Sequence, residues 1–154
     1  MSLMFNIKKY FLLKKYNTLE KKKLPMYKLS FLELQKEYNL IDDYTYEIES
    51  NKIINYQLKQ KDFLLKELEI NKKYEKISEI EYIKQKNDIL RKPFVAIKTN
   101  YDENTDPNNM ELEVVYNKTF IETMKRKGYV GTDEDIAEQW MKLFFMANFD
   151  ELET

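Results

Sequence analysis

The chain contains no cysteine and no histidine. Disulfides, Cys/His zinc or haem ligation, thiol nucleophiles and a Ser-His-Asp triad are therefore excluded, imidazole being the usual base near neutral pH. Its two glycines, Gly128 and Gly131, are too few for a P-loop or a Rossmann turn, both of which bring backbone close to phosphate. No apolar run approaches the roughly 20 residues that cross a bilayer. Lys8, Lys9, Lys14 and Lys15 interrupt the apolar N-terminus and no small-residue cleavage site follows, so no signal peptide is expected. Arginine is nearly absent as well, 2 residues against 24 lysines, which disfavours bidentate reading of phosphate or guanine. What the chain does have is Lys, Asn, Ile and Tyr in excess, the bias of an AT-rich coding sequence. With 43% apolar residues in 154, there is enough for about one ordinary domain with a modest core.

The net charge of −1 conceals a polarity along the chain. Residues 1–28 carry +7, residues 29–100 are neutral, and residues 101–154 carry −8. A chain charged in this way is steered toward a partner of opposite sign, or toward the other end of a neighbouring copy.

Residues 1–28 read as a basic aromatic arm that ends at Leu24-Pro25-Met26, where proline disfavours helix at the preceding residue. On a helical wheel its apolar residues scatter nearly all round, unlike the single stripe of a membrane-surface helix. Phe5, Tyr10, Phe11 and Tyr16, with the Lys21-Lys22-Lys23 run, are its candidate contacts. Docking on another protein is the preferred role, and stacking of nucleic-acid bases between lysine-bound phosphates is the alternative.

A repeat at an offset of 36 residues occupies residues 29–92. Leu34, Tyr38, Ile41, Tyr46, Asn51, Ile53 and Ile54 correspond to Ile70, Tyr74, Ile77, Tyr82, Asn87, Ile89 and Leu90. Each unit predicts helix, short turn, helix, with Asp42 and Ser78 as equivalent N-caps. Ser78 to Glu81 and Ser30 to Glu33 both have the capping-box pattern. An αα-hairpin of this size is too small to fold alone, so the two should stack or recruit another chain.

Tyr74-Glu75-Lys76-Ile77-Ser78-Glu79-Ile80-Glu81-Tyr82, preceded by Leu68 and Ile70 and followed by Ile89-Leu90, resembles the helical hairpin of SHOCT-like domains. Tyr38 to Tyr46 resembles it less closely, and neither turn carries the small residue usual there. The resemblance covers about residues 29–91 and implies an oligomerisation or interaction module without catalytic residues. The arrangement as a whole, with Arg91-Lys92-Pro93-Phe94-Val95, a strand pair, Gly128-Tyr129-Val130-Gly131 and Trp140, is similar to small proteins of large tailed bacteriophages, including crAss-like phages. That similarity implies a protein of the virion, or of the host cytoplasm during infection.

Beyond Pro93, the alternation in Phe94–Thr99 and Met110–Tyr116 predicts a β-hairpin, which needs helices to cover it. Thr119–Lys127 and Asp133–Ala147 supply them, with Gly128 ending the first and Thr132 capping the second. Asp102, Asn104, Asp106, Asn108 and Glu113 stand at positions 1, 3, 5, 7 and 12 of an EF-hand-like calcium loop, but Pro107 replaces the glycine at position 6. An Asx-rich hairpin loop is the preferred account, and no metal or other cofactor is expected. Asp133 and Asp135 have the pattern of capping charges at a helix start rather than an acid/base pair.

In the last helix, Ile136, Trp140, Leu143 and Phe144 set one apolar stripe, and Phe145, Met146 and Phe149 fall outside it. A helix apolar all round calls for burial on both sides, so Trp140, Phe145 and Phe149 are the candidate contacts there. The expected fold is α+β, mainly α: a basic arm (1–28), two hairpins (29–92) and an acidic ββαα module (93–154). The expected function is non-enzymatic assembly, with protein partners or further copies of the chain. A structural component of a tailed-phage particle, such as a head–tail connector or internal assembly protein, leads. A phage regulator that binds a host protein or polymerase is the alternative, and nucleic-acid binding through the arm comes third.

Overall fold

The computed structural model describes residues 2–56, 58–100 and 111–150, without the side chains of Phe149 and Asp150. In chain order the elements are α1 (Leu3–Lys15), α2 (Leu19–Lys22), α3 (Pro25–Glu37), α4 (Asp43–Ile54), α5 (Gln60–Lys73), α6 (Glu79–Leu90), β1 (Val95–Asn100), β2 (Glu111–Tyr116), α7 (Lys118–Arg126) and α8 (Asp133–Asp150). The fold is α+β and mainly α. Contacts divide the chain into two compact units, Met1–Ser78 and Glu79–Thr154, so α6 groups with the strand pair and the division falls inside the second predicted hairpin.

In the first unit α3 packs against α1 and α4, and α4 packs against α5. Residues 1–28 are thus part of a folded helical array and not a free arm. Phe5 is 2% exposed and meets Tyr38 edge to face at 5.5 Å, and buried Tyr16 meets Tyr27 at 5.3 Å. Lys8 Nζ donates to Glu37 Oε1 and lies 5.4 Å from the Tyr38 ring centre. Thirty-six residues further on, the same places are filled by α4 against α5. Tyr44 meets Tyr74 at 5.7 Å and donates its hydroxyl to Asn71 Oδ1 at 2.8 Å, while Glu47 Oε1 accepts from Lys73 Nζ and from the Tyr74 hydroxyl. Phe5 and Tyr10 stand 36 residues before Ile41 and Tyr46, which in turn stand 36 before Ile77 and Tyr82. The repeat therefore reaches back into α1, which takes the part of a second helix in a partial first repeat. Stacked repeats of this kind stabilise one another only through their neighbours.

The scarcity of glycine shows in how the helices end. In α3, α5, α6 and α7 the second residue past the cap donates its N–H to a carbonyl five residues back: Leu40 to Gln35 at 2.8 Å, Lys76 to Asn71 at 2.9 Å, Lys92 to Asn87 at 2.8 Å and Tyr129 to Met124 at 3.2 Å. This is the Schellman arrangement, and it places the intervening residue in the left-handed region. Only α7 has glycine there, Gly128 at φ +98°; the others use Asn39, Glu75 and Arg91 at φ +53° to +55°.

The start of α3 corrects the capping box at Ser30. Pro25 begins the helix after extended Leu24, so Ser30 lies in its interior. Proline suits the first helical position because its missing N–H would be unpaired there anyway. Asp42 caps α4 as expected, accepting from the Thr45 N–H at 2.7 Å.

In the second unit β1 and β2 pair antiparallel, with Val95 opposite Tyr116, Ile97 opposite Val114 and Thr99 opposite Leu112. Val95 and Tyr116 pack on a core of Phe120, Ile121, Met124 and Ile136, joined by Tyr129 and Trp140. Asn117 ties the pieces together. Its Oδ1 accepts from the Phe94 and Phe120 N–H groups, both at 2.9 Å, and its Nδ2 donates to the Lys92 carbonyl at 2.8 Å. One buried side chain thereby caps α7, opens β1 and holds the turn that follows α6. Beyond the other end of α7, Gly131 has φ +127°, and a Cβ there would stand 2.9 Å from the Asp135 side chain, so a larger residue would be strained and would force Asp135 to shift.

Two stability outcomes follow from these contacts. Asn117→Ala should lower the unfolding free energy by about 2–4 kcal/mol in chemical denaturation, because two buried N–H groups and a carbonyl lose their partner. Glu75→Gly and Arg91→Gly should each raise it by about 0.5–1 kcal/mol, since a non-glycine residue is strained in the left-handed region.

Candidate interaction surfaces

α1 is apolar on two faces. At 100° per residue Phe5, Lys9 and Tyr16 turn toward α3, whereas Leu3, Met4, Ile7, Tyr10 and Phe11 form a second stripe on the opposite side. That outer stripe is open: Leu3 is 75%, Tyr10 61% and Phe11 62% exposed, and the Tyr10 and Phe11 rings meet each other edge to face at 5.8 Å. Of the four aromatic residues predicted as contacts here, Phe5 and Tyr16 are consumed by the unit's own core. The aromatic contact surface consists of Tyr10 and Phe11, extended by Leu3, Met4 and Ile7. The wheel looked scattered in the sequence because two stripes were superimposed on it.

Lysines border this stripe. Lys14 and Lys15 are exposed at the end of α1; Lys21 and Lys23 are exposed and Lys22 half-buried around α2, whose start is capped by Thr18. None of these five has a carboxylate partner among the described residues, whereas Lys8, on the inner side, pairs with Glu37. The bond to Glu37 holds the Lys8 ammonium above its ordinary range.

A groove of about 610 Å³ opens between α3 and α4, next to these lysines. Tyr27 and Phe31, stacked at 6.2 Å with an interplanar angle of 3°, form part of its wall, and Lys23, Lys28 and Tyr56 complete it. Lys52, also on the wall, is neutralised by Glu49 at 2.7 Å. Tyr10 and Phe11 are the expected contacts on the stripe, and Leu3, Met4 and Ile7 extend it by a 3, 4, 7, 10, 11 spacing legible in the sequence; the groove carries no local sequence signal.

In the second unit the end of α8 is the corresponding open surface. The expected stripe holds only through Trp140. Leu143 and Phe144 are 50% and 43% exposed, Met146 is exposed, and Phe145 is half-buried. Stripe and contact roles are thus exchanged relative to expectation, because α8 runs past the small core that covers its first two turns. An aromatic series follows its length: Phe120 to Trp140 at 5.8 Å, Trp140 stacked on Phe144 at 5.3 Å, and Phe144 to Phe145 at 5.8 Å. The side chain of Phe149 lies outside the described residues.

Asp133 and Asp135, singled out as candidate chemistry, have local partners. Asp133 pairs with Lys125 at 2.9 Å. Asp135 accepts from the Thr132 N–H while the Thr132 hydroxyl accepts from the Asp135 N–H, a capping box that holds the Asp135 carboxyl below its ordinary range. Asp102, Asn104, Asp106 and Asn108 lie outside the described residues, and Glu113 stands opposite Lys98 on the strand pair. Among the described residues no group of three or more His, Cys, Asp or Glu side chains is placed to hold a metal ion, and no helix is long and apolar enough to cross a membrane.

Compared with family models, with curated proteins and with solved structures, the chain matches none.

The Glu47 bonds set a pH dependence. Lys73 first, then the Tyr74 hydroxyl, hold its carboxyl below the ordinary 4.5, so its stabilising contribution is present above that value and lost as pH falls through the depressed one. Asp42, held low by Thr45, acts in the same direction. The melting temperature should therefore drop on acidification below pH 4.5, and Glu47→Gln should melt lower at neutral pH and lose less in acid. Equal losses in both proteins would contradict this role of Glu47.

Proposed function

We propose that this chain is a non-enzymatic assembly protein, a structural component of a tailed-phage particle such as a head–tail connector or an internal assembly protein. The observation that carries the reading is the presence of large apolar side chains left open on two helices, the outer stripe of α1 and the end of α8. Soluble chains rarely leave contiguous apolar surface open unless a partner covers it. The resemblance of residues 29–91 to SHOCT-like hairpins, which serve oligomerisation and interaction, supports the same class. The phage assignment rests on the similarity of the whole arrangement to small proteins of large tailed phages. Lysine-rich surface beside the stripe adds long-range attraction for an acidic partner, which speeds and orients docking more than it tightens it.

Quantitative mass spectrometry on purified particles and on infected-cell lysate tests the proposal. A fixed copy number in particles is the expected result. Abundance in lysate with absence from particles would contradict it and point to a regulator that binds a host protein or polymerase.

A further inference from the structure

The lysines of the N-terminal segment divide between the faces of α1 as its apolar residues do. Residues 2–28 hold eight lysines and a single acid, Glu20. On the inner side, Lys8 is paired with Glu37 of α3, and Lys9 Nζ lies 5.7 Å from the Phe31 ring centre. Lys14 and Lys15 belong to the outer side. At 100° per residue Lys14 falls between Leu3 and Ile7, and Lys15 falls beside Met4, one turn past Tyr10 and Phe11. Both are exposed and have no carboxylate partner among the described residues.

From its N-terminus onward, the outer face of α1 is therefore aliphatic at Leu3, Met4 and Ile7, aromatic at Tyr10 and Phe11, and cationic at Lys14 and Lys15. That is the order of depth at an anionic bilayer surface. Aliphatic side chains reach the acyl boundary, an amphipathic ring sits at headgroup level, and lysine stems carry their ammonium groups out to the phosphates. The mixture continues around α2, where Leu19, Leu24 and Met26 are exposed among Lys21, Lys22 and Lys23. The whole segment lacks the single stripe of a membrane-surface helix, but once Phe5, Lys9 and Tyr16 are turned onto α3, the part left to solvent has one. Nucleic acid fits this face less well, because Leu3, Met4 and Ile7 have no part against phosphates or bases and the segment contains no arginine.

We infer that the outer face of α1, with the lysines around α2, binds the surface of an anionic lipid bilayer, α1 lying in the headgroup plane. The inference goes beyond the assembly function and gives the chain a surface on which to gather. In lipid-free solution further copies can cover the same apolar face on concentration, so bilayer binding and self-assembly compete for it.

Flotation of the full-length chain with lipid vesicles is the test. Vesicles of phosphatidylcholine with about 30% phosphatidylserine should carry the chain, and vesicles of phosphatidylcholine alone should not, because the lysines need a negative surface potential. Lys14→Gln with Lys15→Gln should weaken binding about twentyfold, as expected for two lysines close to an anionic surface. Raising salt from about 50 mM to about 500 mM should weaken binding of the unaltered chain, as screening shortens the reach of the charges. Ile7→Asp with Phe11→Asp should abolish flotation. Circular dichroism confirms that this variant is folded; if it is not, Ile7→Ala with Phe11→Ala replaces it and should weaken binding about tenfold. An environment-sensitive dye attached to Ile7→Cys should shift to shorter wavelength on anionic vesicles, whereas the same dye on Lys61→Cys should not, which separates insertion of the apolar face from adsorption by charge alone.

No flotation with anionic vesicles, flotation unchanged by either pair of substitutions, or an unshifted dye at position 7 would each overturn the inference. Binding of a single-stranded oligonucleotide in place of the vesicles would overturn it too and assign the lysines to nucleic acid. The assembly function is judged separately, by presence in particles.

Discussion

A helix that is apolar on two faces has to be covered twice, and in this protein that requirement orders the helical half of the molecule. α4 meets it by lying between α3 and α5. α1 meets it halfway: Phe5 and Tyr16 are buried against α3, while Leu3, Tyr10 and Phe11 remain open. Burial of a large apolar side chain stabilises by roughly 1.5–3 kcal/mol, so five such residues in one stripe represent a substantial unspent driving force.

The turns between helices impose the second constraint. With glycine almost absent, the chain accepts strain at Glu75 and Arg91 to form the same left-handed helix ends that Gly128 forms freely. The cost of each is small beside the packing it permits, because the turn fixes how the chain leaves one helix for the next. Asn117 plays the comparable part in the second unit, where a single amide replaces several backbone partners at the meeting of three segments.

Where sequence signals were local, they predicted structure well. The helix–turn–helix spacing of the 36-residue repeat, the Asp42 and Thr132 caps, the C-terminal Gly128 and the antiparallel strand pair all depend on short-range chemistry, and each is present. Four other features depend on what a residue meets elsewhere in the chain. Glu75 and Arg91 have no intrinsic preference for positive φ. Nothing about Asn117 marks it as a link between Phe94, Lys92 and α7. Ser30 has the right neighbours for a cap yet lies inside a helix, because Pro25 starts it five residues earlier. In α1 and at the end of α8, helical spacing located the apolar residues but not which of them the surrounding core would reach. Hence Phe5 and Tyr16 moved inward, and Leu143 and Phe144 outward, relative to expectation.

Because the chain has no native cysteine, coverage of the outer face of α1 on assembly can be measured directly. A single Ile7→Cys substitution reports on that face through its rate of reaction with a thiol reagent, and Lys61→Cys at the exposed start of α5 serves as control. In dilute solution both should react quickly. On concentration, the thiol of the Ile7→Cys chain should become protected while that of Lys61→Cys does not; equal reactivity of the two across the concentration range would show that the outer face of α1 stays open.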